Sequence, residues 1–187
     1  MCVSAFLSCF PDNPKSEDAE RSAPGAMSAS EHIGVCFGYL GAVSCLVMSC
    51  IGAAYGSAQA GLGLCRAGCR DPNMVIKGII PVAMAGVRGI YGLVLSIIIM
   101  SGIRTDGTYG QYNGYMHLGA GLCCGAAQFA SGIAVGVVGE AGTQATVFQS
   151  KLFAPLVLIL IFTEALALYG LIVGMIMAQS GQRRVDG

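Results

Sequence analysis

The sequence predicts an all-α membrane protein: four transmembrane helices arranged as two copies of one helical hairpin. Three observations carry this expectation. The chain has too little charge to face water, it holds four long apolar runs divided by short polar stretches, and its second pair of runs repeats the first. Only 11% of the 187 residues are charged while 55% are hydrophobic, and the mean hydropathy is +0.69. A soluble domain carries about 25% charged residues, because its surface faces water. The 28 glycines and the absence of tryptophan suit helices packed closely in lipid, where small residues let backbones approach. The formal charges sum to zero, so nothing in the composition points to nucleic acid as a partner.

Residues 1–30 read as a polar N-terminal extension, expected to be flexible, with Ser16, Glu17, Asp18, Glu20, Arg21, Pro24 and Gly25 in its second half. Its opening, Met1 to Phe10, has no basic segment and too short an apolar stretch for a secretory signal. The first hairpin is expected over 31–104. Its first span, Ile33 to Leu64, holds no charged residue; at about 48 Å if wholly helical it exceeds a hydrocarbon core of about 30 Å, so it projects or tilts. Its second span, Gly78 to Ile103, is interrupted only by Arg88. The second hairpin is expected over 105–180. It comprises Gly114 to Gly139, with His117 near its start, and Leu152 to Gln179, interrupted only by Glu164. Residues 181–187 are left as a short tail.

The polar stretches Cys65 to Lys77, Arg104 to Asn113 and Glu140 to Lys151 are short enough to force antiparallel neighbours. Lys77 and Lys151 are expected to mark helix starts at the headgroups, and Glu140 and His117 to be interfacial. Continuous runs, rather than alternating ones, exclude a β-barrel. Arg66, Arg70, Lys77 and Lys151 on one side balance Arg104, Arg183 and Arg184 on the other, so loop charge leaves the orientation open.

The repeat is plainest in the second and fourth spans, where Ile90-Tyr91-Gly92-Leu93-Val94 matches Leu168-Tyr169-Gly170-Leu171-Ile172. This register sets Gly86 against Glu164 and Arg88 against Leu166. The first and third spans align through Gly52-Ala53-Ala54-Tyr55-Gly56 and Gly132-Ile133-Ala134-Val135-Gly136. Small residues recur at helical spacing in both, among them Gly38, Ala42, Cys45, Ser49, Gly52 and Gly56, then Gly121, Gly125, Gly132 and Gly136. Such stripes fit either a compact four-helix bundle or narrow inner helices of a ring of copies.

The sequence offers little chemistry beyond one acid. Cys36, Cys45, Cys50, Cys123 and Cys124 lie in apolar runs, where cysteine behaves as a small hydrophobe. Cys65 and Cys69 have no histidine nearby to complete a zinc set, and no metal or cofactor is expected. Cys2 and Cys9 are acylation candidates by composition alone. No phosphate loop, nucleophile–base set or redox pair is present, so if ATP drives this protein, another subunit binds it.

Glu164 stands in the middle of the fourth span. An ionised carboxylate there costs about 2.5 to 3.5 kcal/mol on insertion scales, so the neutral acid is favoured wherever the group meets lipid. Residues three, four and seven positions away are Ile161, Leu160, Leu168, Val157 and Leu171, an aliphatic face. A carboxyl that is neutral in lipid and ionised beside water or a cation has the property a proton carrier needs. The competing reading is a glutamate satisfied inside the bundle by Arg88 or Gln128. Arg88 itself pairs with Glu164, reaches along its helix to the interface, or faces a polar interior; these remain alternatives.

The chain resembles the proteolipid c subunits of vacuolar-type H⁺-ATPases over 33–177. The resemblance rests on Gly52-Ala53-Ala54-Tyr55-Gly56-Ser57-Ala58, Ile79-Ile80-Pro81-Val82-Ala83-Met84-Ala85-Gly86, Ile90-Tyr91-Gly92-Leu93, Leu118-Gly119-Ala120-Gly121-Leu122, Gly136-Val137-Val138-Gly139-Glu140-Ala141-Gly142 and Leu158-Ile159-Leu160-Ile161-Phe162-Thr163-Glu164. It implies a proton-carrying role for Glu164 and a rotor ring of several proteolipid copies in the lipid bilayer. It also implies central-stalk partners, and a static subunit supplying an arginine and half-channels. Both termini would face the lumen of an acidic organelle. Arg88 stands where such proteins usually have an aliphatic residue, Glu140 replaces an aspartate, Pro155 enters the fourth span's first turns, and the extension is longer than typical. Two other readings stand beside this one. A sodium-carrying relative would draw ligands from Thr163, Gln128 and Gln59, and a structural or pore-forming proteolipid would not need Glu164.

Overall fold

The computed structural model describes residues 29–72, 75–103 and 111–183. The expected extension falls outside them up to residue 28, as do 184–187 of the tail. Four long helices account for the described chain: α1 (Ala29–Gly68), α2 (Val75–Gly102), α3 (Gln111–Phe148) and α4 (Phe153–Arg183). A single 3-10 turn, Ser150–Leu152, leads into α4. No strand occurs among the described residues. All four helices are long and apolar enough to cross a bilayer.

The helices outrun the apolar segments that predict them. At 1.5 Å per residue, the 40 residues of α1 and 38 of α3 extend about 60 Å, roughly twice a hydrocarbon core of about 30 Å. The stretch expected to be a loop from Glu140 onward is helical as far as Phe148. Glu140 therefore sits two turns inside α3, where it pairs with Arg66 near the end of α1. The structure corrects the loop expected from Glu140, which is helix to Phe148. Helix continues there because Ala141, Gln144, Ala145 and Val147 offer no break; the polar residues signal emergence from lipid, not a turn. Pro155 falls in the first turn of α4, where its missing N–H would have had no helical partner anyway. Lys77 and Lys151 mark the starts of α2 and α4, and the Lys77 ammonium lies over the Phe153 ring at 5.9 Å.

Glycine decides how α1 and α3 meet. Gly34 touches Gly114, Gly41 touches Gly121 and Gly52 touches Gly132, backbone to backbone. A Cβ added at Gly121 would overlap the Gly41 carbonyl oxygen, and one at Gly132 the Gly52 carbonyl. Because each contact rises along both helices together, the two run parallel, with equivalent repeat positions face to face. Helix α2 then packs antiparallel on α1, and α4 antiparallel on α3: Gly92 lies on Ser49, and Gly170 on Ala127.

Polar side chains fasten these contacts through backbone carbonyls. Ser96 Oγ donates to the Ala42 carbonyl at 2.8 Å, and Ser49 Oγ to the Arg88 carbonyl at 2.6 Å, both across α1–α2. A bond of this kind in a membrane bundle is worth about 0.6 kcal/mol. His117, expected at the interface, is buried, and its Nε2 lies 3.3 Å from the Ala178 carbonyl of α4. The largest core cluster joins Ala42, Cys45, Leu95, Ile99, Ala120, Cys124 and Ala178 from all four helices.

Candidate functional site

The two halves differ at a position that the repeat sets opposite, Gly86 against Glu164. At Gly86, α2 is exposed and a Cβ there would meet nothing within 4 Å. At the matching place on α4, Glu164 carries a side chain only 13% exposed. Two residues beyond Gly86, about 200° around the helix, Arg88 points the opposite way and is 0% exposed.

Three helices hold the guanidinium in place. Arg88 Nε donates to Ser131 Oγ of α3 at 2.8 Å. Its Nη1 donates to the Met84 carbonyl, one turn back on α2, at 2.7 Å. Its Nη2 lies 3.3 Å from Glu164 Oε2 on α4. That contact is an ion pair without hydrogen-bond alignment: Nη2 and both Glu164 carboxylate oxygens are buried with no hydrogen-bond partner. Ser131 directs its own proton to the Thr163 carbonyl at 2.8 Å, joining α3 to α4 beside the acid. The Tyr91 hydroxyl, one turn along α2 from Arg88, faces the Glu164 carboxylate and feels both charges.

Of the alternatives left open for Glu164 and Arg88, the structure shows the pair between them. Leu160 is buried beside the acid and Ile161 exposed, and the carboxylate turns inward to Arg88. Gln128, the other partner considered, binds elsewhere: its Nε2 donates to the Ala167 carbonyl at 3.0 Å, and its Oε1 is buried without a partner. Ser131 was missed. Its signal was its place three residues after Gln128, on the same helical face, toward the acid.

The side chains considered as sodium ligands have other hydrogen-bond partners. Thr163 Oγ1 donates to the Ile159 carbonyl and Gln59 to the Tyr55 hydroxyl. Among the described residues no three of His, Cys, Asp and Glu come together as a metal site. The second polar cluster lies at the hairpin-connection end, where Glu140 meets Arg66, and the Arg70 guanidinium lies 5.2 Å from the Phe148 ring centre. It shares no residue with the Glu164 site.

Four apolar helices, duplicated as hairpins and enclosing one acid near the middle of a span, define an integral membrane proteolipid of the ion-transporting kind. The family model for the C subunit of ATP synthase matches twice, at residues 40–99 and again at 118–177, one match to each hairpin and together more than half of the chain. The chain belongs to that family, whose proteolipids form rotor rings for proton or other ion translocation together with further ATPase subunits.

Proposed function

We propose that this chain is the proton-carrying proteolipid of the rotor ring in a vacuolar-type H⁺-ATPase, with Glu164 as the carrier. The observation that carries the reading is one acid for two hairpins. Where the repeat sets Glu164 against Gly86, only the second copy bears a carboxylate, and among the described residues no other acid lies in the middle of a span. The motifs that lead up to it, from Gly52 to Ala58, from Ile79 to Gly86 and from Leu158 to Glu164, support the vacuolar type. In this cycle Glu164 yields its proton where a static subunit offers an arginine and water, and is reloaded from a half-channel. ATP is hydrolysed on other subunits, and the ring acidifies an endomembrane organelle. Protons are preferred to sodium because a single carboxyl suffices to hold a proton, whereas a hard metal cation needs several oxygens around it.

The experiment is ATP-driven acidification of vesicles from cells lacking their own proteolipid, supplied with wild type or Glu164→Gln. Glutamine keeps the size but cannot exchange a proton. Wild type should restore acidification, and the variant should assemble and leave acidification at background. Normal acidification by the variant would move the structural proteolipid ahead.

A further inference from the structure

Proton carrying by Glu164 has no use for a fully buried arginine in the same chain. We propose that Arg88 is a latch on proton loading: it stands against Glu164 in place of the proton, so the acid is loaded only when the guanidinium is displaced. The inference rests on Glu164 being the carrier.

Charge counting gives the reason. A lone membrane acid is neutral with its proton and carries −1 without it. A guanidinium stays protonated in proteins, so beside one the sums change. The deprotonated pair is neutral and the protonated pair carries +1. Lipid disfavours net charge, so the arrangement that rests in lipid is here the one without the proton. Two of the three nitrogens of Arg88 are bound to neutral acceptors, Ser131 Oγ and the Met84 carbonyl, which stay in place whatever Glu164 does. The third, Nη2, has Glu164 as its counterpart, and the Tyr91 hydroxyl, one turn along α2, faces the same carboxylate. Loading a proton on Glu164 with Arg88 in place would leave Nη2 buried without a counter-charge. At 3.3 Å and without hydrogen-bond alignment, the contact is held by charge and not by a directed bond, so a competing anion or water can release it.

The test labels assembled protein in membranes with a lipid-soluble carbodiimide, which attacks neutral carboxylic acids. Modification of Glu164 is read by mass spectrometry, with Glu164→Gln as the blank. Arg88→Ile should be labelled at least tenfold faster than wild type, while Arg88→Lys, which keeps the charge, should stay within about threefold of it. Equal rates in wild type and Arg88→Ile overturn the latch. So does an Arg88→Lys rate as high as that of Arg88→Ile, because packing and not charge would then be responsible. Should Arg88→Ile fail to assemble, wild type alone decides. The infrared band of a neutral carboxylic acid, identified by subtraction of Glu164→Gln, should be missing, and its presence overturns the latch. Acidification by Glu164→Gln would sink the carrier reading instead, and leaves the labelling rates to stand on their own.

Discussion

Ser131 is the smallest residue of the site and joins the most parts of it. Its hydroxyl accepts from Arg88 and donates to the Thr163 carbonyl, tying α2, α3 and α4 together beside the acid. Ser131→Ala leaves Arg88 Nε buried without an acceptor, a defect that costs about 1–3 kcal/mol. The variant should unfold correspondingly earlier in a detergent melt, and an unchanged melt would show that Nε finds another partner. The Arg66–Glu140 pair predicts the opposite. Arg66 is 61% exposed, and exposed ion pairs contribute about 0–1 kcal/mol. Glu140→Gln should therefore lower stability by less than about 1 kcal/mol in the same melt and leave acidification unchanged. Two ion pairs of one formal type thus differ in consequence because one is solvated and the other is not.

At the scale of helices, the α1–α3 contact depends on the lack of side chains. Gly121 meets the Gly41 carbonyl so closely that any Cβ would collide with backbone, which cannot swing aside as a side chain does. Gly121→Leu should separate the two helices at a cost at or above the upper end of the about 1–3 kcal/mol seen for overpacking; the readout is loss of folded, extractable protein. Gly86→Ala is the contrast. Nothing within the chain lies near a Cβ there, and replacing a mid-helix glycine by alanine gains about 0.5–1 kcal/mol. That variant should be at least as stable as wild type. A destabilised Gly86→Ala would reveal that a neighbouring copy presses on this face. Only helix packing distinguishes the crowding at these two glycines.

For the whole molecule, the unburied surface is the governing fact. Between a third and a little under half of each span's most apolar window is buried inside the chain, 33% in α1, α2 and α4 and 44% in α3. The rest, including Ile79, Ile90, Leu93, Phe162, Tyr169 and Ile176, must meet lipid or another copy. Glycine meets glycine in the parallel α1–α3 pair, while α2 and α4 carry the bulkier Ile and Leu side chains. Proteolipids of this family assemble into rings. Native mass spectrometry in a mild detergent should give a closed multiple of the chain mass, and a monomer at all detergent concentrations would count against ring assembly.

The elements of this protein were legible before any coordinate. Continuous apolar runs must be helices in lipid, because only a helix satisfies its own backbone there. The matched Tyr-Gly-Leu triplets set the register of the two hairpins, and with it the opposition of Gly86 and Glu164. The acid stood out because a charge in mid-span is rare and costly. The helix ends did not, since polar residues from Glu140 to Phe148 report departure from lipid while the backbone bonding that continues the helix is indifferent to it. Nor could sequence choose among the three fates open to Arg88. That choice depends on the rotation of α2 against α3 and α4, which is set by where glycines and serines on three helices fit together. Packing alone turned Gly86 outward and Arg88 inward, and so brought a cation from the first hairpin against the acid of the second.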